Sequence, residues 1–358
     1  MWEWFPRTVT LHTLWYREAE GEHNVNGKGV PVCDAGGFSG NKGSKTWGAK
    51  RLVFVILLII GLDQLIGFML KQLYSYTISG DRGGVINGVL RQNPNVLVLG
   101  SSRAKHHVVS AILQEKLSVS VFNAGIDGHD FLYAMMLLDL WVQSHAPPKA
   151  ILIHVDPTSL GYSKQELDRA SIFSAYFWES QRVRSILLMR GKYEWLKYLS
   201  SSYRFNGKVF QVVKTVLSGS DDPSDGYVGL QGMVQNSSTQ PSDAQKVVAE
   251  SSPTFWDLKL SYLAELARYC KENETRLILF HSPRLREDPT VLEDWSKRLN
   301  ETIVTEMGIK YLDLTARAHE FKGRRPDLFK DGAHLNARGA EIFSRLLADE
   351  IAGYVGSL

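Results

Sequence analysis

The chain has 358 residues, enough for one large domain with additions, and its 44% hydrophobic and 22% charged residues are ordinary for a globular protein. A net charge of +3 is too small to argue for nucleic-acid binding. The two cysteines, Cys33 and Cys270, lie too far apart to suggest a disulfide framework or a metal cluster.

Residues 1–49 show no clear hydrophobic period. Gly27 to Gly48 is rich in Gly, Ser and Lys, the composition of a disordered segment. Residues 50–71 read as a membrane anchor. Leu52 to Leu70 is apolar except at Asp63 and Gln64, and at about 1.5 Å per residue it nearly crosses a hydrocarbon core of roughly 30 Å. A core helix of a soluble protein is the alternative, but Leu52 to Leu62 lacks any polar face, which favours the span. Lys42, Lys45, Lys50 and Arg51 precede the run without an acidic residue among them. The positive-inside rule therefore places the N-terminus in the cytoplasm and everything after about residue 75 outside. The run starts far from Met1 and no small-residue cleavage site follows it, which favours an uncleaved single span over a signal peptide. Asp63 costs about 2.5–3.5 kcal/mol at mid-bilayer, so it is expected to face a partner helix or water, or to lie near the outer interface.

Residues 72–93 read as a linker, and residues 94–358 as an extracytoplasmic α/β domain. Strands are predicted at Asn95–Gly100, Val119–Ala124, Ala150–Val155, Leu277–Phe280 and Lys310–Leu314. Helices are predicted at Arg103–Leu117, Phe131–Gln143, about Trp256–Glu272, about Val291–Met307 and Ala337–Ala352. This alternation predicts a parallel, doubly wound sheet. An insertion at residues 159–252 interrupts it. Lys164 to Leu217 reads as helical and aromatic-rich, a lid, a sugar-stacking wall or a small core of its own. Ser218 to Ser252 reads as a mobile loop.

In such sheets ligands sit beyond the carboxyl ends of the strands. Ser102, Gly125 to Gly128, Asp156, and His281 with Ser282 follow the first four strands in turn, and Asp331 and His334 lie in the loop after the fifth. A serine at a strand-to-helix turn presents its hydroxyl at the sheet edge, although the same position suits a plain helix cap. An Asp three residues before a His can orient the imidazole, which can then take a proton from a serine. Ser102, His334 and Asp331 are the candidate nucleophile, base and orienting carboxylate. His106 follows Ser102 by one helical turn and is expected to line the pocket or hold substrate. Arg103 is expected to contact an acidic sugar, pair with a carboxylate or remain a solvated surface charge. No metal site and no cofactor motif is found. Gly80 to Gly88 is glycine-rich but does not follow a strand.

The blocks Gly100-Ser101-Ser102, Phe122 to Asp130 and Asp331 to His334 resemble the SGNH/GDSL hydrolase superfamily. They resemble most its membrane-anchored members associated with acylation of bacterial surface polysaccharides. The resemblance covers roughly residues 94–353 without the insertion. It implies a flavodoxin-like three-layer parallel sheet and a serine esterase or O-acyltransferase working through an acyl-Ser102. The expected substrate is an acylated, typically acetylated, cell-surface glycan. A transferase of this kind would need a membrane protein to deliver the acyl group. Ser102 matches the nucleophile, and Ser101 stands where the family usually has Asp. Gly125 matches the second block's oxyanion glycine, with Gly128 as the alternative. His154-Val155-Asp156-Pro157 stands where many members carry an oxyanion asparagine. These departures keep open a catalytically silent glycan-binding or assembly subunit. A lipid-deacylating enzyme is a further alternative.

Overall fold

A computed structural model describes residues 42–78, 80, 83–219, 225–234, 253–285, 289–317, 321 and 325–355. The disordered segment expected at residues 1–49 lies outside them up to residue 41. The chain divides into a unit of residues 1–54 and one of residues 55–358. In the first, the Arg51 guanidinium lies 3.4 Å from the centroid of the Trp47 ring.

Helix α1, Lys42–Ser75, starts before the expected anchor and runs past its end. The stretch Trp47–Ser75 is long and apolar enough to cross a membrane. Asp63 finds its partners within the chain. Its carboxylate accepts from the Ser200 hydroxyl at 2.6 Å and from the Ser201 and Ser202 N–H groups at 2.6 and 3.2 Å. The predicted linker is itself partly helical: α1 continues to Ser75, and α2 spans Gly84–Val89.

Five parallel strands follow: β1 Val96–Leu99, β2 Val121–Asn123, β3 Ala150–His154, β4 Arg276–His281 and β5 Lys310–Asp313. Their order is β2-β1-β3-β4-β5, with the chain reversing direction across the sheet between β1 and β3. In doubly wound sheets such a reversal is where ligands bind, at the carboxyl ends of the two strands that flank it. Register is continuous across the centre, Leu99 opposite Ile153 and Ile153 opposite Leu279. Alternate side chains feed opposite layers. Leu97, Leu99, Ile151 and Leu279 pack against α5, Phe131–Trp141, and α10, Pro253–Glu272. Val96, Val98, Leu152, Ile278 and Phe280 pack against Leu113 of α4, Ser110–Leu117, and Phe343 and Leu347 of α12, Ala337–Val355. Strands buried on both faces read as unbroken apolar runs, which is why VLVL and AILIH stood out in the sequence.

The helix expected at Arg103–Leu117 is two, α3 Ser102–His107 and α4. The β-branched pair Val108-Val109 takes extended backbone between them. Helix α11, Pro289–Leu299, continues through a π-helical turn at Asn300–Val304 to Met307.

The insertion is built from short helices: α6 Lys164–Arg169, a 3₁₀ turn at Ala170–Tyr176, α7 Gln181–Leu188, α8 Glu194–Leu199 and α9 Val209–Ser218. Phe173, Tyr176, Phe177 and Tyr198 are buried and continue the core layer under α5 instead of closing a small core of their own, whereas Trp178, Tyr193 and Trp195 are exposed. Buried Lys259 ties the root of the insertion to α10, donating to the Ser159 and Gly161 carbonyls at 2.7 and 2.8 Å and to Glu166 at 2.7 Å.

Part of the expected mobile loop is instead a strap docked at the carboxyl edge of the sheet. Within residues 225–234, Asp225 O accepts from Asn123 N at 2.9 Å, Val228 N donates to Lys105 O at 3.3 Å, and Leu230 O accepts from Ala337 N at 2.8 Å. Gly226 has φ +81°, and a Cβ there would overlap Asn123 O, so no other residue lets the strap lie this close. Residues 220–224 and 235–252 lie outside the described residues.

Candidate active site

The β1–α3 turn positions Ser102. Gly100 takes φ +139°, and a Cβ on it would stand 2.8 Å from that of His154. Ser101 then caps α3, its hydroxyl accepting from Arg103 N at 3.4 Å. Ser102 opens the helix, so its N–H has no intrahelical acceptor.

The His334 loop is fixed by its own hydrogen bonds. Lys330 N donates to His334 O at 2.9 Å, and the Asn336 side chain donates to Asp327 O at 2.8 Å and Gly232 O at 3.1 Å. Asp331 Oδ1 accepts from the N–H groups of Ala333 and His334 at 2.8 and 2.9 Å. This turns the carboxylate back onto its own loop.

The structure brings the three predicted side chains together. His334 Nε2 lies 2.8 Å from Ser102 Oγ, and Nδ1 lies 2.9 Å from Asp331 Oδ2. The carboxylate only accepts, so Nδ1 carries the hydrogen and Nε2 presents a lone pair to the serine hydroxyl. Burial opposes the charge on Asp331, but the Ala333 N–H and the His334 side chain outweigh it and hold the carboxyl below the usual carboxylate value. The side chains of His334 and Asp331 remain 27% and 53% exposed, so the pair is open to solvent.

The other candidates sit around this centre in different ways. Arg103 is buried and ion-paired with buried Asp156, not solvated. His106 stands edge-on to His334, their ring centroids 6.0 Å apart. Its Nε2 meets Asp127 Oδ1 at 2.8 Å and its Nδ1 meets Val228 O at 2.6 Å, both of them acceptors. Asp127 is held well below the usual carboxylate range, chiefly by this bond to His106 and then by Lys105. Gly125 donates its N–H to Asn123 Oδ1 at 3.0 Å, so the N–H expected to face an oxyanion is already engaged. Gly128 has φ +69°, and its carbonyl accepts from Arg169.

A layer of polar groups beneath the pair was not assigned from sequence. His107 Nδ1 lies 2.8 Å from Ser282 Oγ, and its Nε2 accepts the Leu335 N–H at 2.9 Å. His154 Nε2 lies 3.1 Å from the same Ser282 hydroxyl. The Leu335 bond fixes the tautomer of His107, which donates from Nδ1 to the Ser282 hydroxyl. Burial above all, then the Arg103 charge, pushes both His107 and His154 well below the usual histidine value, so both rings are neutral. The positions of His281 and Ser282 at the end of β4 are a sequence signal for this layer; their partners, more than a hundred residues away in the chain, are not. Among the described residues no group of three or more His, Cys, Asp and Glu is disposed to hold a metal ion.

No protein-family model matches the chain. No curated protein matches it either. Among solved structures it is similar to a protein provisionally named a platelet activating factor from Streptococcus pneumonia, at 13% identity and a TM-score of 0.38, over 85% of this chain and 98% of that one. That likeness is too loose to say anything about the site.

Proposed function

We propose that the chain is a membrane-anchored serine esterase or O-acyltransferase of the SGNH/GDSL type. The observation that carries the reading is the Ser102–His334–Asp331 relay at 2.8 and 2.9 Å, at the carboxyl edge of a parallel sheet. In this reading Ser102 Oγ attacks the carbonyl carbon of an ester while His334 Nε2 takes its proton, and Asp331 stabilises the imidazolium. The Ser102 N–H faces the developing oxyanion. The tetrahedral adduct expels the alcohol, which leaves with the proton from His334, and Ser102 holds the acyl group. Water, or the hydroxyl of a sugar, then attacks the acyl-serine with His334 again as base. Water completes an ester hydrolysis and a sugar completes an acyl transfer. The apolar helix Trp47–Ser75 supports a single span, and Lys42, Lys45, Lys50 and Arg51 before its apolar run support a cytoplasmic N-terminus with the domain outside. There an acylated, typically acetylated, surface glycan is the substrate class. A transferase would then receive its acyl group from a membrane partner.

A second reading is favoured by one observation, that Gly125 spends its N–H on Asn123. An incomplete oxyanion hole suits a catalytically silent glycan-binding or assembly subunit. Labelling of the full-length protein in detergent with a fluorophosphonate probe separates the two. The enzyme reading expects labelling that is lost in Ser102→Ala, strongly reduced in His334→Ala and retained in Ser101→Ala. Absence of labelling in folded wild-type protein would sink it in favour of the binding subunit.

A further inference from the structure

Helices α8 and α9 turn apolar side chains outward. Trp195, Leu196 and Leu199 of α8 are exposed, and on α9 Phe210 and Leu217 are 83% and 79% exposed. Val209, Val213 and Val216 are exposed with them, while Val212 is buried. Positions 209, 213 and 216, with 210, 213 and 217, follow helical spacings of three and four and form one face. A contiguous apolar face of this kind marks an interaction surface.

Its place along α1 indicates what covers it. Ser200, Ser201 and Ser202, directly after α8, hold Asp63, and the Ser201 hydroxyl donates to Gln64 at 2.6 Å. Gly67, one turn further on, permits this approach, since a Cβ there would stand 2.3 Å from that of Ser201. Lys71 pairs with Glu179 at 2.6 Å, and Tyr74 meets Phe205 edge-on with centroids 5.8 Å apart. At about 1.5 Å per residue, the insertion follows α1 for roughly 16 Å from Asp63 to Tyr74. On the same turns Leu65, Ile66, Phe68 and Met69 remain exposed. The end of α8 therefore lies at the level of the apolar helix, not beyond it. Within Trp178 to Leu217 the exposed charged residues include Lys192, Lys197 and Lys214 against Glu179, and Trp178, Tyr193 and Trp195 are exposed with them. Basic charge with exposed Trp and Tyr is the composition of a membrane interface.

We propose that α8 and α9 form a lipid-facing platform, seated in the membrane interface beside α1. The proposal rests on the reading of α1 as a membrane span. Lipid is favoured over a second membrane protein because Asp63 and Gln64, the polar residues within the apolar stretch of α1, are already satisfied by Ser200, Ser201 and Ser202. The insertion then acts as a second attachment and holds the domain in one pose on the bilayer.

The test uses the full-length chain in liposomes of phosphatidylethanolamine and phosphatidylglycerol, in a Cys33→Ser/Cys270→Ala background with an unchanged Tm. Single cysteines at Leu196, Phe210, Ile59 and Glu115 carry an environment-sensitive fluorophore. Doxyl-labelled lipid and aqueous iodide are the two quenchers. The platform expects blue-shifted emission and doxyl quenching at Leu196 and Phe210 as at Ile59, and iodide quenching at the exposed Glu115. Iodide quenching at Leu196 and Phe210 with doxyl quenching at Ile59 would overturn the platform and leave the span intact. Iodide quenching at Ile59 would remove the span, and the platform with it. Leu196 and Phe210 shielded from both quenchers would mean a protein cover, which also overturns the proposal.

Discussion

Leu335 donates its backbone N–H to Nε2 of the buried His107 at 2.9 Å, across 228 residues of sequence. That N–H belongs to the peptide bond that joins Leu335 to His334, so His107 grips the backbone of the proposed base. Its own ring is held from the other side by Ser282 at 2.8 Å. The joint after His107 is pinned as well, with Ser344 Oγ donating to His107 O at 3.1 Å and accepting from Val109 N at 2.7 Å. Ser102 and His334 thus approach each other through α3, which carries both Ser102 and His107.

His107→Phe should therefore loosen the base without touching it. The buried Leu335 N–H would lose its acceptor, at a cost of about 1–3 kcal/mol. Fluorophosphonate labelling of Ser102 is expected to slow by about tenfold, on the rule that 1.4 kcal/mol is a factor of ten. His107→Gln, which can place an acceptor near the Nε2 position, should recover part of the rate. Equal rates in wild type and His107→Phe would show that His334 holds its place unaided.

The same histidines set an acid limit on stability. His107 and His154 both titrate in the folded protein well below the ordinary 6.5. Between that lower value and about pH 6.5 the unfolded chain binds protons that the folded chain refuses, so acidification favours unfolding. Their contribution is present in full above about pH 6.5 and is lost as the pH falls below it. Each proton refused is worth about 1.4 kcal/mol per pH unit. Asp331, held below its ordinary 3.8, adds a further loss at more acidic pH. The expected result is a Tm in detergent that is flat from pH 8 to 7 and falls steeply between 6 and 5, less steeply in His107→Gln. A Tm independent of pH across that range would contradict it.

The sequence made the sheet legible because each central strand is a short apolar run bounded by turn residues, as in VLVL before Gly100. Ser102, Asp331 and His334 were legible because each lies within a few residues of a strand or helix end, where topology gathers side chains. What stayed hidden depends on pairs distant in sequence. Arg103 could be a surface charge until β3 carried Asp156 beside it. Residues 225–234 resembled a loop because backbone hydrogen bonds, which leave no hydrophobic period, hold the strap. The aromatics of the insertion had no periodicity to separate the buried Tyr198 from the exposed Trp195.

The Arg103–Asp156 pair is expected to behave as a coupled unit. Asp156→Asn keeps an acceptor for Thr158, whose N–H and hydroxyl bind Oδ1 at 2.9 and 2.6 Å, but removes the charge facing Arg103. Breaking a buried pair from one side costs about 3–5 kcal/mol. Arg103→Met/Asp156→Asn should then lose less than the sum of the two single changes, because the uncompensated charge is gone. A double-mutant cycle of thermal stability checks this, and strict additivity would mean that the two side chains do not depend on each other.

Gly67 and Gly61 lie on the same apolar helix and differ only in what stands beside them. A Cβ at 67 would come within 2.6 Å of the Ser201 carbonyl carbon, whereas one at 61 would have nothing within 4 Å. Gly67→Leu should push α1 off Ser200, Ser201 and Ser202 and strip Asp63 of its bonds, while Gly61→Leu should change nothing. Arg204 reports on this joint, since its guanidinium donates to Ser201 Oγ at 2.7 Å. Trypsin cleavage after Arg204 in detergent is expected to accelerate in Gly67→Leu and to match wild type in Gly61→Leu. Labelling of Ser102 should stay the same in both, because the joint lies on the insertion and not at the strand ends. Equal cleavage in the two variants would mean that the insertion holds its shape without α1, leaving Asp63 to be satisfied in some other way.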